Sequence, residues 1–355
     1  MAKVRIGFVG VGFMGQKAHL QNYVTLDNCE VVALAEVRKE TGKLVAARYG
    51  IPKVYEDHKA MFAAEKLDGI VASQPFDRHA VLMPELYSGA KFVFSEKPLA
   101  VTVGAAENLA AAAKKAGCTH MVGYHKRSDP AVMHAMSVIK DWKASGKMGA
   151  LRYVRILMPA GDWVANGAIG VLNAGDAAPE LKREVEGGWE ASLPGMDKPT
   201  SQAYVSFVNY YIHQVNLMRH LLGESYNVTY AEKSGVLLAV ESASGVAGTI
   251  EMTPYRTTIE WEESALVAFE KGYIKIKLPA PLAHTRAGTV EVYADPGDST
   301  PVRSFPTMPW VHAMRQQAIN FVDVIQGKMA PPCAAAEAVE DLKMARQYIK
   351  LRFGQ

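Results

Sequence analysis

The chain has 355 residues, of which 49% are hydrophobic and 21% charged, and its formal net charge at pH 7 is +3. This length predicts about two domains, and this composition excludes a mainly disordered protein. The basic residues are not clustered, which argues against a nucleic-acid partner, and no uncharged apolar run approaches the roughly 20 residues of a membrane-spanning helix.

The beginning of the chain and its cysteines predict a cytoplasmic protein. The sequence enters a strand pattern directly after its first three residues, so we expect no signal peptide. Cys29, Cys118 and Cys333 are far apart and form no C-x-x-C pair. We therefore expect buried, unreactive thiols, without a disulfide framework and without a metal site.

Short apolar runs alternate with helical stretches in the first part of the chain. Strands are predicted at 4–9, 31–35, 69–72, 91–95 and 120–124, and helices up to 26, at 40–49 and at 105–116. Strands that alternate with helices predict parallel βαβ units, and near-continuous apolar strands predict a sheet covered on both faces. Ligands of such sheets bind beyond the carboxyl ends of the strands.

A glycine-rich turn follows the first strand and opens a helix. The first glycine allows the tight turn, the second lets the backbone approach a diphosphate, and the third lets helix and strand pack closely. This placement predicts a dinucleotide site that includes Gly10, Gly12, Phe13, Met14 and Gly15.

Glu36 ends the second strand, about 20 residues after the glycine turn. A carboxylate at this position can accept hydrogen bonds from both ribose hydroxyls of an adenosine, and it repels a 2′-phosphate. Arg38 and Lys39 lie directly beyond Glu36 and can tolerate a 2′-phosphate. NAD is therefore the preferred cofactor, and NADP stays open.

Lys97 precedes a proline directly after the predicted strand 91–95, in Ser95-Glu96-Lys97-Pro98. Proline forces the preceding residue out of the helical region, so we expect Lys97 in an extended or turn conformation at the carboxyl end of the strand. A cationic nicotinamide there would lower the pKa of the Lys97 amine and let it act as an acid or a base. The alternative is a strand-end lysine in solvent.

The pattern changes from about residue 151 onwards. Alternating runs predict strands at 151–157, 236–240, 247–252, 265–269, 273–278 and 290–293, and helices are predicted at 206–222, 314–325 and 334–353. Such runs predict a mostly antiparallel sheet with one face in water or paired with a neighbouring subunit. We predict an α/β dinucleotide-binding domain at 1–124 and an α+β substrate and oligomerisation domain at 125–355.

The predicted helix 206–222 carries a narrow polar stripe. At roughly 100° per residue, the side chains of Asn209, His213, Asn216 and His220 fall within an arc of about 60° between apolar flanks. This stripe favours a polar cavity, with a hydrogen-bonded core histidine as the alternative.

The segment 159–202 has little periodicity but is rich in polar and aromatic residues, namely Asp162, Trp163, Asn166, Asp176, Trp189 and Glu190. A loop of this length is usually functional or disordered. Tryptophan faces suit sugar rings, and carboxylates and amides suit hydroxyls, although a surface loop with incidental tryptophans fits equally well. Tyr124 ends the predicted strand 120–124 and Arg127 follows it, and both are expected to face the same cleft.

Together these features resemble the Gfo/Idh/MocA family of dinucleotide-dependent sugar and cyclitol oxidoreductases. The resemblance extends over essentially the whole chain, and the Glu96-Lys97-Pro98 element is its most specific part. Its other parts are the glycine turn, Glu36, Gln74-Pro75 with His79, and Gly123-Tyr124 leading to Arg127 and Pro130.

The resemblance implies an N-terminal Rossmann domain and a C-terminal open sheet that pairs subunits into a homo-oligomer. It implies cofactor contacts for Gln74, Pro75, His79, Glu96 and Lys97, and a Lys97–Pro98 peptide that is commonly cis in the family. It also implies that a substrate hydroxyl is oxidised beside Lys97.

The family pattern around its catalytic histidine matches only in part. His213 is retained, while Asn209 and Asn216 stand where aspartates are usual. Because asparagine cannot take up a proton near neutral pH, the proton relay must rest on Lys97 and His213, with Asn209 orienting the substrate. Arg127 matches the recurrent arginine and either positions the substrate or forms a salt bridge at the domain interface.

The leading hypothesis is an NAD-dependent oxidoreductase that acts on a secondary hydroxyl of a sugar, glycoside or cyclitol. A redox-neutral NAD-dependent glycosidase or lyase, which oxidises, eliminates and re-reduces, is the second hypothesis. A non-enzymatic sensor of NAD or sugar is the third.

Overall fold

A computed structural model describes residues 2–165, 170–186, 192–284 and 286–354. Its contacts divide the chain into two units. The first comprises Met1–Tyr124, Ala168–Leu193 and Gln317–Leu342, and the second comprises His125–Gly167, Pro194–Gln316 and Lys343–Gln355. The first boundary between the units, after Tyr124, lies at the predicted domain boundary. Two later segments also belong to the first unit, so a single boundary does not describe the division of the chain.

The first unit contains a six-stranded parallel sheet. Its strands are β1 (Val4–Val9), β2 (Cys29–Ala35), β3 (Val54–Tyr55), β4 (Gly69–Ala72), β5 (Phe92–Ser95) and β6 (Thr119–Val122). They lie in the order β3-β2-β1-β4-β5-β6. This is the order of a doubly wound dinucleotide-binding sheet, in which the direction of winding reverses between β1 and β4. The predicted Rossmann architecture is confirmed; the two-residue strand β3 had no signal in the sequence.

Helices connect the strands of this sheet. A π-helical turn at Gly15–Leu20 runs into α1 (Gln21–Tyr23), and α2 (Lys39–Tyr49), α3 (His58–Ala64), α4 (His79–Leu86) and α5 (Val103–Lys115) follow. Side-chain oxygens of Asp57 and Thr102 cap α3 and α5 by accepting backbone N–H groups at 2.8 and 3.2 Å. The left-handed φ of 68° at Gly50 ends α2.

The second unit contains an eight-stranded mixed sheet. Its strands are β7 (Leu151–Ala160), β8 (Tyr226–Ala231), β9 (Leu237–Ser242), β10 (Ala247–Arg256), β11 (Glu263–Phe269), β12 (Gly272–Leu278), β13 (Thr289–Ala294) and β14 (Val302–Ser304). The order is β14-β13-β12-β11-β7-β10-β9-β8, and the β7–β10 pair is parallel while the other pairs are antiparallel. The mostly antiparallel sheet is as predicted, with β8 and β14 added at its edges.

The helices of the second unit are α6 (Pro130–Ser145), α7 (Lys198–Tyr210) and α8 (Ile212–Leu222). The prediction of one continuous helix at 206–222 is wrong, because α7 ends at Tyr210 and α8 begins at Ile212, although Tyr211 between them keeps right-handed helical angles (φ −86°, ψ −3°). The Tyr211 hydroxyl pairs with the Thr253 hydroxyl on β10, a tertiary contact that no local pattern contains. Asn209 therefore lies on α7 and His213 on α8.

Two helices, α9 (Ala313–Ile325) and α10 (Ala335–Phe353), lie near the end of the chain. Their bounds agree with the predicted ones to within one residue. No helix in the described residues combines the length and the apolar character needed to cross a bilayer.

Residues 317–342 complete the first unit. Phe321 is fully buried, and its ring lies 6.4 Å from that of Tyr23 and 5.8 Å from that of Phe94, between centroids. The Val122 N–H donates to the Cys333 carbonyl at 2.9 Å, and a single antiparallel bridge joins Met121 to Ala334. A segment from near the end of the chain thus fills the core of the unit and adds to its sheet at β6.

The three cysteines are buried, as predicted. Burial raises the pKa of Cys29 to about 12 and that of Cys118 to about 11. Since the thiolate is the reactive form, both thiols are chemically inert at neutral pH.

Replacing Phe321 by alanine is expected to lower the free energy of unfolding by about 3–5 kcal/mol, the usual cost of truncating a fully buried phenylalanine. Urea denaturation followed by circular dichroism measures this loss. Leu44→Ala, on the exposed surface of α2 in the same unit, is the control and is expected to change stability by about 0.5 kcal/mol or less. A loss for Phe321→Ala no larger than that of the control would contradict the assigned role.

Candidate active site

The glycine turn has the geometry that a diphosphate site requires. Gly10 has a φ of 88°, and a Cβ built on it would lie 2.1 Å from the Gln74 amide nitrogen. A Cβ on Gly15 would lie 2.9 Å from the Gly10 carbonyl oxygen, while a Cβ on Gly12 would meet nothing within 4 Å. Gly10 and Gly15 therefore serve internal packing, and Gly12 leaves the backbone open to a ligand. Phe13 and Met14 are half-buried.

A cavity of about 1230 Å³ lies within the first unit. It is lined by the residues that directly follow the carboxyl ends of β1, β2 and β4, among them Gly10, Gly12, Glu36, Arg38, Gln74 and Pro75. This volume exceeds the roughly 300–1,000 Å³ of sites for drug-sized ligands. Position, size and glycine turn all fit a dinucleotide. The predicted residues named here are thus brought together at one cavity.

Glu36 is buried beside the glycine turn. Its carboxylate accepts hydrogen bonds from the Val11 N–H at 2.9 Å and from the Arg38 Nε at 2.9 Å and Nη2 at 3.0 Å. Burial opposes ionisation of Glu36, but the bonds from Arg38 and Val11 outweigh it and lower the pKa of this carboxyl group. Glu36 is therefore ionised at neutral pH, and Arg38 holds it in place.

Glu96 and Lys97 occupy the carboxyl end of β5. Glu96 is buried, and its carboxylate lies 2.6 Å from the His19 Nε2 and accepts the Lys97 N–H at 3.2 Å. Burial opposes ionisation of Glu96, but the contacts with His19 and Lys97 lower its pKa overall. Lys97 is half-buried, and the Lys97–Pro98 peptide is cis, as the resemblance implies.

The side chain of His79 contacts the backbone of the segment that follows Lys97. Its side chain has no exposed surface, and its Nδ1 lies 3.1 Å from the Pro98 carbonyl oxygen and 3.2 Å from that of Leu99. Because a carbonyl only accepts, Nδ1 carries the proton. Burial lowers the pKa of His79, which keeps the ring neutral. These contacts give His79 a supporting role for the segment that carries Lys97, and its contact with the cofactor stays a prediction.

A second buried histidine, which the sequence analysis did not single out, fixes the end of β5. His120 on β6 lies between Tyr87, whose hydroxyl is 2.9 Å from Nδ1, and Ser95, whose hydroxyl is 2.8 Å from Nε2. The Ser95 hydroxyl in turn donates to the Glu96 carbonyl at 3.1 Å. Burial lowers the pKa of His120 to about 3. A histidine within an apolar strand was the available signal, because such a ring needs partners on both nitrogens.

The buried His120 predicts a specific pH dependence of stability. A folded-state pKa of about 3, below the unfolded value near 6.5, means that the unfolded chain binds an extra proton between these values. The contribution of the neutral, buried His120 to the free energy of unfolding is fully present above pH 6.5 and is lost as the pH falls. We expect the free energy of unfolding to fall more steeply from pH 7 to pH 5 in the wild type than in His120→Gln. Urea denaturation at both pH values measures the two slopes, and equal slopes would rule out this effect.

In the second unit, Arg127 and His213 are linked through α8. Arg127 lies in a 3₁₀ turn at His125–Ser128, is buried, and donates from Nε to the Asn216 Oδ1 at 2.7 Å. The His213 ring is half-buried and meets the His125 ring edge-on, with centroids 4.8 Å apart. The observed Arg127 contact therefore braces the histidine helix within its own unit.

A buried ion pair anchors the same turn to the sheet. Lys126 Nζ lies 2.6 Å from the Glu263 carboxylate on β11, and Gln214 on α8 donates to the other oxygen of that carboxylate at 2.7 Å. Breaking one partner of such a pair would leave a buried charge, so turn, helix and strand are held as one group. No local pattern predicts this pairing, because Glu263 is 49 residues from Gln214 and 137 residues from Lys126.

The polar stripe is more internal than expected. Asn216 is buried against Arg127, and burial lowers the pKa of His220 to about 3, so that this ring is neutral. Only part of the polar stripe is therefore accessible to a ligand in a cavity. His213 is half-buried and Asn209 is exposed on α7.

The remaining predicted substrate contacts are distributed over both units. Tyr124 is buried at the end of the first unit, and Trp163 is half-buried in the second. Asn166, Trp189 and Glu190 lie outside the described residues. Asp176 does not offer its carboxylate to a sugar, since the N-terminus of α2 occupies it. Within the described part of the chain, no three His, Cys, Asp or Glu side chains are grouped to hold a metal ion.

Comparison with known proteins agrees with this geometry. Residues 4–124 match the model of the GFO_IDH_MocA oxidoreductase family with an NAD-binding Rossmann fold. The myo-inositol 2-dehydrogenase of Thermotoga maritima is 22% identical over 248 residues, which are 70% of this chain and 63% of that protein. The D-glucoside 3-dehydrogenase of Escherichia coli is 28% identical over 124 residues, 35% of each protein.

A solved structure shares the fold over the full length. The oxidoreductase from Agrobacterium radiobacter, crystallised with NAD+, L-tartaric acid and magnesium, superimposes with a TM-score of 0.69 at 14% identity. The superposition covers 100% of this chain and 98% of that one. At 14% sequence identity, this superposition shows that the two chains share a fold.

Proposed function

We propose that this protein is an NAD-dependent dehydrogenase acting on a secondary hydroxyl of a sugar, glycoside or cyclitol. The premise is that the Rossmann unit belongs to the Gfo/Idh/MocA oxidoreductase family. The named relatives act on inositol and on a D-glucoside, which supports this substrate class. The observation that carries the proposal is the cavity at the ends of β1, β2 and β4, with Lys97 fixed at the end of the neighbouring β5.

The residues present fit a dinucleotide. Gly12 leaves room for a diphosphate against the backbone, and the ionised Glu36 can accept hydrogen bonds from ribose hydroxyls. When bound, the nicotinamide supplies the acceptor for the hydride that leaves the substrate carbon. The protein has to hold the alcohol and to move its proton.

We assign the proton to Lys97, assisted by His213. The alcohol loses its C–H hydrogen as hydride and its O–H proton to the Lys97 amine, and the C–O bond becomes a carbonyl. The ionised Glu96 stabilises the positive charge that Lys97 acquires in this step. Substrate contacts are assigned to Asn209, Tyr124, Arg127 and Trp163.

Lys97→Ala is expected to lower kcat by about 100-fold or more, the scale of a lost general base, with little change in the affinity for NADH. Initial rates with NAD and a panel of sugars, glycosides and cyclitols measure kcat, and fluorescence titration measures NADH binding. Lys91→Ala, at the exposed opposite end of β5, is the matched control and should retain wild-type turnover. A Lys97→Ala variant that keeps a third of wild-type turnover would refute the assignment.

Glu36 is expected to set the preference for NAD over NADP, because its negative charge repels a 2′-phosphate. In Glu36→Ala the ratio of kcat/KM for NAD to that for NADP should fall about tenfold, the effect of losing one charged hydrogen bond. Glu30→Ala, at the exposed other end of β2, should leave the ratio unchanged. A wild-type enzyme that prefers NADP tenfold would contradict the role of Glu36.

A redox-neutral glycoside cleavage is the second candidate. Residues 178–186 lie along the dinucleotide cavity, and a reaction that oxidises and then re-reduces its substrate needs a cofactor that stays bound. Product formation without net NADH supports this candidate, and stoichiometric NADH release excludes it.

Pairing of subunits through the eight-stranded sheet is also proposed. Phe305 and Trp310 follow the edge strand β14 and are 67% and 85% exposed. Large apolar side chains left in water are typical of contact surfaces.

A further inference from the structure

The chain leaves the second unit after β7 and runs over the first unit before α7 begins. Residues 172–186, which we call the cover segment, belong to the first unit by their contacts. The sequence suggested that this region binds a sugar. The structure instead ties it to the Rossmann unit at three separate places.

The first tie is an amide pair with Gln16, which directly follows the glycine turn. The Gln16 Nε2 donates to the Leu172 carbonyl at 2.9 Å, and the Gln16 Oε1 accepts the Leu172 N–H at 2.9 Å. Gln16 is 1% exposed, and the Leu172 side chain packs against the core of the unit. The cover segment therefore begins at a fixed position beside the expected diphosphate site.

The second tie is Asp176 at the N-terminus of α2. Its carboxylate accepts the Glu40 N–H at 2.8 Å, the Thr41 N–H at 3.2 Å and the Thr41 hydroxyl. The bond from the Thr41 hydroxyl, together with the two backbone bonds, lowers the pKa of Asp176. The positive end of the helix favours the same ionised form.

The third tie is Glu184 at the start of α5. Its carboxylate accepts the Val101 N–H at 2.8 Å, the Thr102 N–H at 2.8 Å and the Thr102 hydroxyl at 2.7 Å. The Glu184 N–H also donates to the Asp77 carbonyl at 2.6 Å, and Arg183 forms an ion pair with the Asp77 carboxylate.

From just after the second tie to its last residue, the cover segment lines the cavity that Gly12 and Glu36 also line. Its cavity-lining residues are Ala178, Pro179, Glu180, Leu181, Lys182, Arg183, Val185 and Glu186. The strand ends thus form one part of the cavity wall, and this segment forms another.

The cavity wall carries charges of both signs, and two of its guanidinium groups offer a place for a phosphate. Arg78 and Arg183 both line the cavity, and the Arg78 Nε is buried without a hydrogen-bond partner among the described contacts. Burial, followed by the nearby positive charge of Arg183, lowers the pKa of Arg78. A phosphate group between two guanidinium groups would relieve this repulsion and supply the missing acceptor.

We propose that the cover segment completes the dinucleotide site and retains the cofactor between turnovers. This inference rests on the proposed function, because the ligand concerned is the proposed cofactor. Lifting of the segment would open the cavity further, and it would break the hydrogen bonds of Asp176 and Glu184, so these bonds oppose release of the dinucleotide.

The release rate of NADH tests the proposal. The double variant Asp176→Asn/Glu184→Gln removes charge and acceptors at two ties while conserving side-chain size. Stopped-flow fluorescence after mixing the NADH complex with excess NAD should show release about tenfold faster, or more, than in the wild type. Glu232→Gln, which loses a carboxylate that caps a turn in the second unit, is the matched control and should release NADH at the wild-type rate. Equal rates in all three proteins would overturn the proposal.

Hydrogen exchange of the wild-type protein gives a second test that does not depend on the folding of the variant. Mass spectrometry should show slower exchange of amides in 172–186 when NADH is bound, while peptides of β8 and β9 remain unchanged. NADH binding without protection of the cover segment would overturn the inference and leave the proposed function standing. Failure of the wild type to bind NADH would overturn both.

Discussion

A parallel sheet built from right-handed crossovers places the carboxyl ends of all its strands along one edge, and the first unit depends on this constraint. The glycine turn after β1, Glu36 after β2, Gln74 after β4 and Lys97 after β5 meet there because each ends a strand that runs in the same direction. The internal packing of Gly10 against Gln74 then fixes the distance between the central strand ends. The cavity is a consequence of topology, and the side chains decide its chemistry.

The end of β5 shows how a reactive group is held without being buried itself. The His79 ring binds the backbone carbonyls that follow Lys97. The His120 ring binds the Ser95 hydroxyl, and the His19 ring contacts the Glu96 carboxylate. Hydrogen bonds among buried polar groups hold such a segment in place. The two histidines with lowered pKa values stay neutral and act as hydrogen-bonding supports, and the ionised Glu96 places a negative charge beside Lys97.

Local signals in the sequence were enough to predict the Rossmann sheet, the glycine turn, Glu36 and the position of Lys97, because each depends on neighbouring residues and on strand order. The features that sequence analysis missed are contacts between distant parts of the chain. The Asp176 and Glu184 ties bridge 136 and 83 residues, and no periodicity records them. The division of the helix at Tyr211 likewise has no local signal, and the Tyr211 hydroxyl pairs with that of Thr253, 42 residues away.

The placement of residues 317–342 in the first unit has a consequence for biosynthesis. Phe321 and the Cys333 carbonyl belong to the core and the sheet edge of a unit whose first 124 residues leave the ribosome much earlier. At a translation rate of roughly 5–20 residues per second, about 10–45 seconds separate the emergence of the two parts. During this interval the apolar surface that α9 later covers stays without its partner, and exposed apolar surface of this kind favours aggregation.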